Sequence, residues 1–204
     1  MCLSFIGQII YASVMLTSFT LTLAAIFSPG WRQFTVSDEI RQQYNIPTYS
    51  GLLPFFCAFQ ANDNAIINIT IAQMDDYCGK WWNEMEDHEK AVIVAMCVAL
   101  VAEVIALVWV GITICACFCK KFIIHPLPVL ALCIALFLCI AIGLFGSNFK
   151  DDIDVNPAND NVLKDVLESS KLGYSFYLTC GALAGAIIDI VVGSLTVMFS
   201  NLCL

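Results

Sequence analysis

The side chains of this 204-residue chain that could take part in chemistry are mainly cysteines and acids. Two cysteines, Cys57 and Cys78, flank Asn68-Ile69-Thr70, which is a sequon for N-glycosylation. His88 and His125 have no neighbouring cysteine or second histidine that would complete a metal site. No nucleophile paired with a base, phosphate-binding loop or pair of catalytic carboxylates is recognisable, so the sequence predicts neither an enzyme nor a cofactor.

Membrane-spanning helices must position these groups. Hydrophobic residues make up 60% of the chain and charged residues 13%, with a mean hydropathy of +0.83. One helical span takes about 20 apolar residues, and four segments meet this requirement: residues 3–27, 91–119, 126–145 and 174–199. The first is longer than the core of a signal peptide and no basic residue precedes it, so we expect it to be retained.

The segments between the predicted spans define the topology. Residues 28–90 and 147–173 form two long loops, whereas residues 120–125 form a short one that contains Lys120 and Lys121. Orientation is read from the basic residues of short loops, which face the cytoplasm. The sequence therefore predicts a single four-span domain over residues 1–204, with both termini cytoplasmic and both long loops extracellular.

The extracellular placement gives Cys57 and Cys78 an oxidising environment. They are the only cysteines in either long loop, and disulfides persist outside the cytosol. We expect them to form a disulfide bond, with two free structural thiols as the alternative. The sequon lies between them, so we also expect a glycan on Asn68.

Both long loops are acidic. The first has nine acidic and four basic residues, and the second has six acidic and three basic residues. Such a surface attracts cations and repels anions. It argues against a nucleic-acid partner, which would need a basic face.

Short strands are predicted in the first long loop. Residues 65–74 alternate apolar and polar side chains, and residues 31–36 and 51–59 also have strand-like composition. After Cys78, residues 81–96 have the pattern of a helix that continues into the second span. The predicted fold class is an all-α membrane protein: a four-helix transmembrane bundle with a small antiparallel extracellular β-sheet.

The pattern of Trp31, Gly51, Leu52, Cys57 and Cys78 ahead of the second span resembles the signature of the claudin superfamily, which is Trp, Gly-Leu-Trp, Cys, Cys in the first loop. The start of the last span, KLGYSFYLTCGALAGAIIDIVVGSL, is also similar. The chain departs from the pattern where Leu53 replaces the second tryptophan, and in a longer gap between the cysteines. It most resembles a divergent invertebrate claudin-like protein, with peripheral myelin protein relatives and calcium-channel gamma subunits as further relatives.

The resemblance implies a plasma-membrane protein of cell–cell junctions that mediates adhesion and forms a paracellular barrier or pore. Its implied partners are copies of itself in the same membrane, related proteins on neighbouring cells, and the lipid bilayer. In this family, charges around the cysteine pair set ion selectivity, which makes Asp63, Asp75 and Asp76 candidates for lining a cation-selective path. The alternative is an auxiliary subunit that regulates an ion channel or receptor.

Two acids, Glu103 and Asp189, lie inside predicted spans. Small residues recur every four positions on their helical faces, which predicts that both acids point toward helix contacts. An acid inside a membrane is costly, so we treat each of the two as a candidate functional residue. The alternative is a structural role as a protonated carboxylic acid, hydrogen-bonded to Ser13, Thr17 or Thr20 of the first span.

Cysteines cluster at the predicted cytoplasmic boundary. Cys115, Cys117 and Cys119 directly precede two lysines, and Cys203 lies near the end of the chain. Juxtamembrane cysteines of this kind are typical sites of S-palmitoylation. Free thiols and a metal site are the alternatives, and the latter would need further ligands from elsewhere.

The sequon provides the first test, because a glycan is added only on the extracellular side. We expect enzymatic deglycosylation of the protein from its own cells to increase its gel mobility, and Asn68→Gln to have the same effect. Asn64→Gln, which removes an asparagine outside any sequon, is the control. Unchanged mobility of the wild-type protein would contradict both the glycan and the predicted topology.

Overall fold

Four long helices dominate the computed structural model. The structure describes residues 2–34, 49–53, 85, 87–115, 124–151 and 170–202. Within these, the helices are α1 (Cys2–Phe27), α2 (Asp87–Cys115), α3 (Pro126–Asp151) and α4 (Tyr174–Leu202). Three strands accompany them: β1 (Arg32–Phe34), β2 (Tyr49–Ser50) and β3 (Ser170–Leu172).

All four helices are long and apolar enough to cross a membrane, which confirms the four predicted spans. The start predicted for the second helix is wrong. Met85 lies in a bend and α2 begins at Asp87. Asp87 and Glu89 occupy its first turn, where negative side chains interact favourably with the helix dipole.

Several polar residues of the helices are buried. Gln8, Ser18, Thr22, Glu103 and Asp189 are fully buried. Large apolar side chains are exposed instead, among them Val101, Val108, Leu136, Val191 and Met198. The buried core is itself mainly apolar, and the many exposed apolar side chains suit a lipid environment.

The chain divides into two compact units. The first comprises Met1–Leu23, Val94–Ile142 and Leu178–Leu204, and the second comprises Ala24–Ile93 and Gly143–Tyr177. In the first unit, α1 contacts each of the other three helices. Its close approach to α4 depends on Gly185, where an added Cβ would lie 3.2 Å from Ser18 Cβ.

The second unit contains a three-stranded antiparallel sheet with the order β2-β1-β3. Arg32 pairs with Ser50 on one side and with Leu172 on the other. The small sheet confirms the predicted fold class, but β3 comes from the second long loop, which the sequence analysis did not predict.

The strand predicted over residues 51–59 is wrong at its start. Strand β2 ends at Ser50, and Gly51, Leu52 and Leu53 lie outside any strand. Gly51 instead packs against the segment that follows α1, where an added Cβ would lie 3.0 Å from Pro29 Cα. The strand predicted over residues 65–74 lies outside the described residues.

The junction between β3 and α4 is held by backbone contacts. The Gly173 amide donates to Trp31 O at 3.0 Å, and the Ser175 amide donates to Gly30 O at 2.9 Å. An added Cβ on Gly173 would collide with the Gly30 carbonyl oxygen, so only glycine fits this approach. These bonds attach the start of α4 directly to the segment that begins β1.

Candidate functional sites

The second unit brings together the three described residues of the signature. Trp31 is buried, and its indole Nε1–H donates to Ala25 O at 2.7 Å. Its ring packs edge-on against Phe145, with 4.9 Å between the ring centroids. Trp31 therefore connects the end of α1 to α3, as a large aromatic side chain with a satisfied polar group can.

Arg32 adds an electrostatic connection beside this tryptophan. Its guanidinium Nη2 lies 3.2 Å from Glu89 Oε1, with side chains that are 17% and 34% exposed. The same guanidinium lies 5.7 Å from the centroid of the Phe145 ring, within range of a cation–π interaction. Strand β1 is thus attached to the first turn of α2 and to α3.

Gly51 and Leu52 complete this group of residues. Leu52 is buried, and both residues line a small cavity with Trp31 and Arg32. The remaining lining residues are Met85, Glu89, Val92, Ile93 and Phe145. The cavity volume is about 40 Å³, far below the roughly 300–1,000 Å³ of ligand pockets, so we interpret this group of residues as a structural anchor for the sheet.

The first unit contains the two buried acids. Glu103 Oε1 accepts a hydrogen bond from Thr22 Oγ1 at 2.9 Å and lies 3.2 Å from Ser18 Oγ, whereas Oε2 has no partner among the described residues. Asp189 lies on the buried face of α4 that also carries Ala182 and Ala186. Its two carboxyl oxygens are buried and make no hydrogen bond to the described residues.

The hydroxyl partners suggested for these acids are wrong. Ser13, Thr17 and Thr20 are exposed and donate to backbone carbonyls of their own helix. The actual partners, Ser18 and Thr22, were missed. The spacing of residues in α1 gives a signal for them. Its fully buried residues follow one another at intervals of three or four positions: Gln8, Tyr11, Met15, Ser18, Thr22 and Ala25.

Most of the other candidate residues lie outside the described residues, so their placement stays a prediction. These are Cys57, Asp63, Asn68, Asp75, Asp76, Cys78, Cys117, Cys119 and Cys203. Cys115 is described, as the exposed last residue of α2. The described residues contain no group of three or more histidine, cysteine or acidic side chains that could hold a metal ion.

Four membrane-spanning helices and a small sheet anchored by a buried tryptophan define a class of multi-pass membrane protein. The model of the family described as "Tight junction protein, Claudin-like" matches residues 1–203. The chain therefore belongs to this claudin-like family, as the signature residues indicated. No curated protein matches the chain.

The anchor around Trp31 gives a testable consequence. We expect Trp31→Phe to lower the midpoint of thermal unfolding in detergent, because phenylalanine leaves Ala25 O without its indole donor and fills less space. The loss should be about 1–3 kcal/mol of unfolding free energy. Tyr177→Phe is the matched control, since Tyr177 is 63% exposed. Equal midpoints for the two variants would contradict the role of Trp31 as an anchor.

Proposed function

We propose that this protein is a component of cell–cell junctions that mediates adhesion through its extracellular loops and forms a paracellular barrier or a cation-selective pore. The observation that carries the proposal is the claudin-like family match, which extends over almost the entire chain. A tight-junction membrane protein of this type binds copies of itself and related proteins on the neighbouring cell.

The proposed orientation places both termini in the cytoplasm and the sheet outside the cell. It is supported by Lys120 and Lys121 in the shortest loop. It is also supported by the sequon at Asn68 in the same loop as the proposed Cys57–Cys78 disulfide. In this orientation the exposed thiol of Cys115 reaches the cytoplasmic boundary, where we propose S-palmitoylation of at least one of the nearby cysteines.

The anchored sheet supports an adhesive role in physical terms. Strand β1 follows α1 closely, and β3 directly precedes α4, so both long loops begin or end on one hydrogen-bonded platform. A loop that is fixed at its base loses less conformational entropy when it binds a partner. The two long loops can therefore make specific contacts, although the sheet that holds them is small.

The adhesion test uses cells that do not adhere to one another, mixed with and without the expressed protein. We expect the protein to concentrate at borders between two expressing cells, because contact requires a partner molecule on each side. Borders between an expressing and a non-expressing cell are the internal control. Uniform surface distribution combined with co-purification of an ion channel would contradict the proposal and favour an auxiliary subunit.

The ion path gives a second prediction. Asp63, Asp75 and Asp76 would raise the local concentration of cations in a confined aqueous groove, with a reach of about 8 Å at physiological salt. We expect dilution potentials across an expressing epithelial layer to show a sodium preference. The combined change to asparagine at these three positions should abolish most of it.

The matched control removes three acids of the second loop, Asp152, Asp154 and Asp160, by the same change to asparagine. It should leave most of the sodium preference intact. A chloride preference of the wild-type protein would overturn the pore assignment. So would a sodium preference that is equally reduced by both triple variants, because it would reflect surface charge in general.

A further inference from the structure

We propose that Ser18, Thr22, Glu103 and Asp189 form a binding site inside the first unit for one small hard cation, which is a proton or a sodium ion. Its distinguishing feature is a set of buried oxygens that lack partners. Glu103 and Asp189 are both fully buried. Glu103 Oε2 and both Asp189 oxygens make no hydrogen bond to the described residues, so three of the four carboxyl oxygens are available to a ligand.

Charge balance is the first argument for a cation. The described residues of the first unit contain no lysine or arginine, and their one histidine, His125, is exposed before the start of α3. Ser18 contacts Glu103 and packs against Gly185, and Asp189 lies one turn beyond Gly185 on the buried face of α4. Two ionised carboxylates without a counter-charge are costly to bury in a medium of low dielectric constant, and one bound cation removes most of this cost.

The hydroxyl groups give a second, independent argument. Ser18 Oγ lies 2.8 Å from Ala182 O and 3.2 Å from Glu103 Oε1. A hydroxyl has one proton, and the Ala182 carbonyl can only accept, so the shorter contact takes that proton. When Glu103 carries a proton, it can donate that proton to Ser18 Oγ in a full hydrogen bond. Alternatively, Glu103 Oε1 and Ser18 Oγ can both coordinate a metal ion.

The type of ligand atom defines the class of cation. Carboxylate, hydroxyl and carbonyl oxygens are the ligands of hard cations, whereas cysteine and histidine select softer metals. A proton needs no coordination sphere and suits tightly packed helices. A sodium ion would use the unpartnered carboxyl oxygens of Glu103 and Asp189.

Other titratable groups near the site are few. Tyr11 lies on the same buried face of α1 as Ser18, but its hydroxyl donates to Leu127 O of α3 at 2.9 Å, so that proton is already engaged. Helix α3 contributes apolar side chains to the first unit, among them Ala131, Ile134 and Leu138. The helices of the first unit also carry the exposed Cys97, Cys133 and Cys139 and the partly buried Cys180. The loss of a pH effect in Asp189→Asn therefore decides whether that effect belongs to the two acids.

The test measures thermal unfolding of the full chain in detergent, at constant ionic strength, in sodium or choline salts and from about pH 5 to about pH 9. If the ligand is a proton, the folded form binds more protons than the unfolded form, so stability falls as the pH rises. If the ligand is sodium, stability at fixed pH rises with sodium concentration. We expect the wild-type unfolding midpoint to change by more than about 4 °C with pH or with sodium. Asp189→Asn should lose this change.

The control variant is Asp87→Asn, which removes a fully exposed carboxylate at the start of α2. It should retain the wild-type dependence on pH or sodium. Infrared spectra of the wild-type protein add a measurement that does not depend on a variant folding. A protonated-carboxyl band that weakens as the pH rises supports a proton, and a band that appears only when sodium is removed supports sodium.

Two results would overturn the proposal. One is a dependence on pH and sodium that is the same in the wild-type protein, Asp189→Asn and Asp87→Asn. The other is an infrared spectrum without a protonated-carboxyl band in either salt, together with stability that does not respond to sodium. Glu103→Gln, which keeps an oxygen to accept from Thr22, replaces Asp189→Asn if the latter does not fold.

Discussion

The packing of the first unit depends on the hydroxyl groups along one face of α1. Tyr11 donates to α3 at Leu127 O, Thr22 donates to α2 at Glu103, and Ser18 contacts both Glu103 and Ala182 O of α4. Between helices in lipid there is no hydrophobic driving force, because the surrounding chains are as apolar as the side chains. These bonds and the close approach at Gly185 therefore specify which faces of the helices meet.

The same constraint explains the composition of the helices. Apolar side chains can lie on any face of a helix in lipid, so they give little information about its orientation. A polar side chain is different, because leaving it without a partner in hydrocarbon is costly. The buried acids at Glu103 and Asp189 consequently define the inward faces of α2 and α4, and a change that moved either acid toward lipid would be strongly disfavoured.

The sequence predicted the spans more successfully than the details of their contacts. Spans follow from local composition, whereas Ser18 and Thr22 could be told from Ser13 and Thr17 only by the three- and four-residue spacing of the buried face. Strand β3 was not predicted because Ser170, Lys171 and Leu172 have no alternation long enough to detect. Its partner Arg32 lies far away in the chain, and such pairing is set by tertiary structure rather than by propensity.

Strand β1 has the central place in the second unit because it is both the middle strand and the attachment point of the sheet. Its first residue, Arg32, pairs with Ser50 and Leu172 and also contacts Glu89 and Phe145. Edge strands of two or three residues would be marginal alone, so β2 and β3 depend on this attachment. A disturbance at Trp31 or Arg32 would therefore affect the bases of both long loops, although neither residue needs to touch a partner itself.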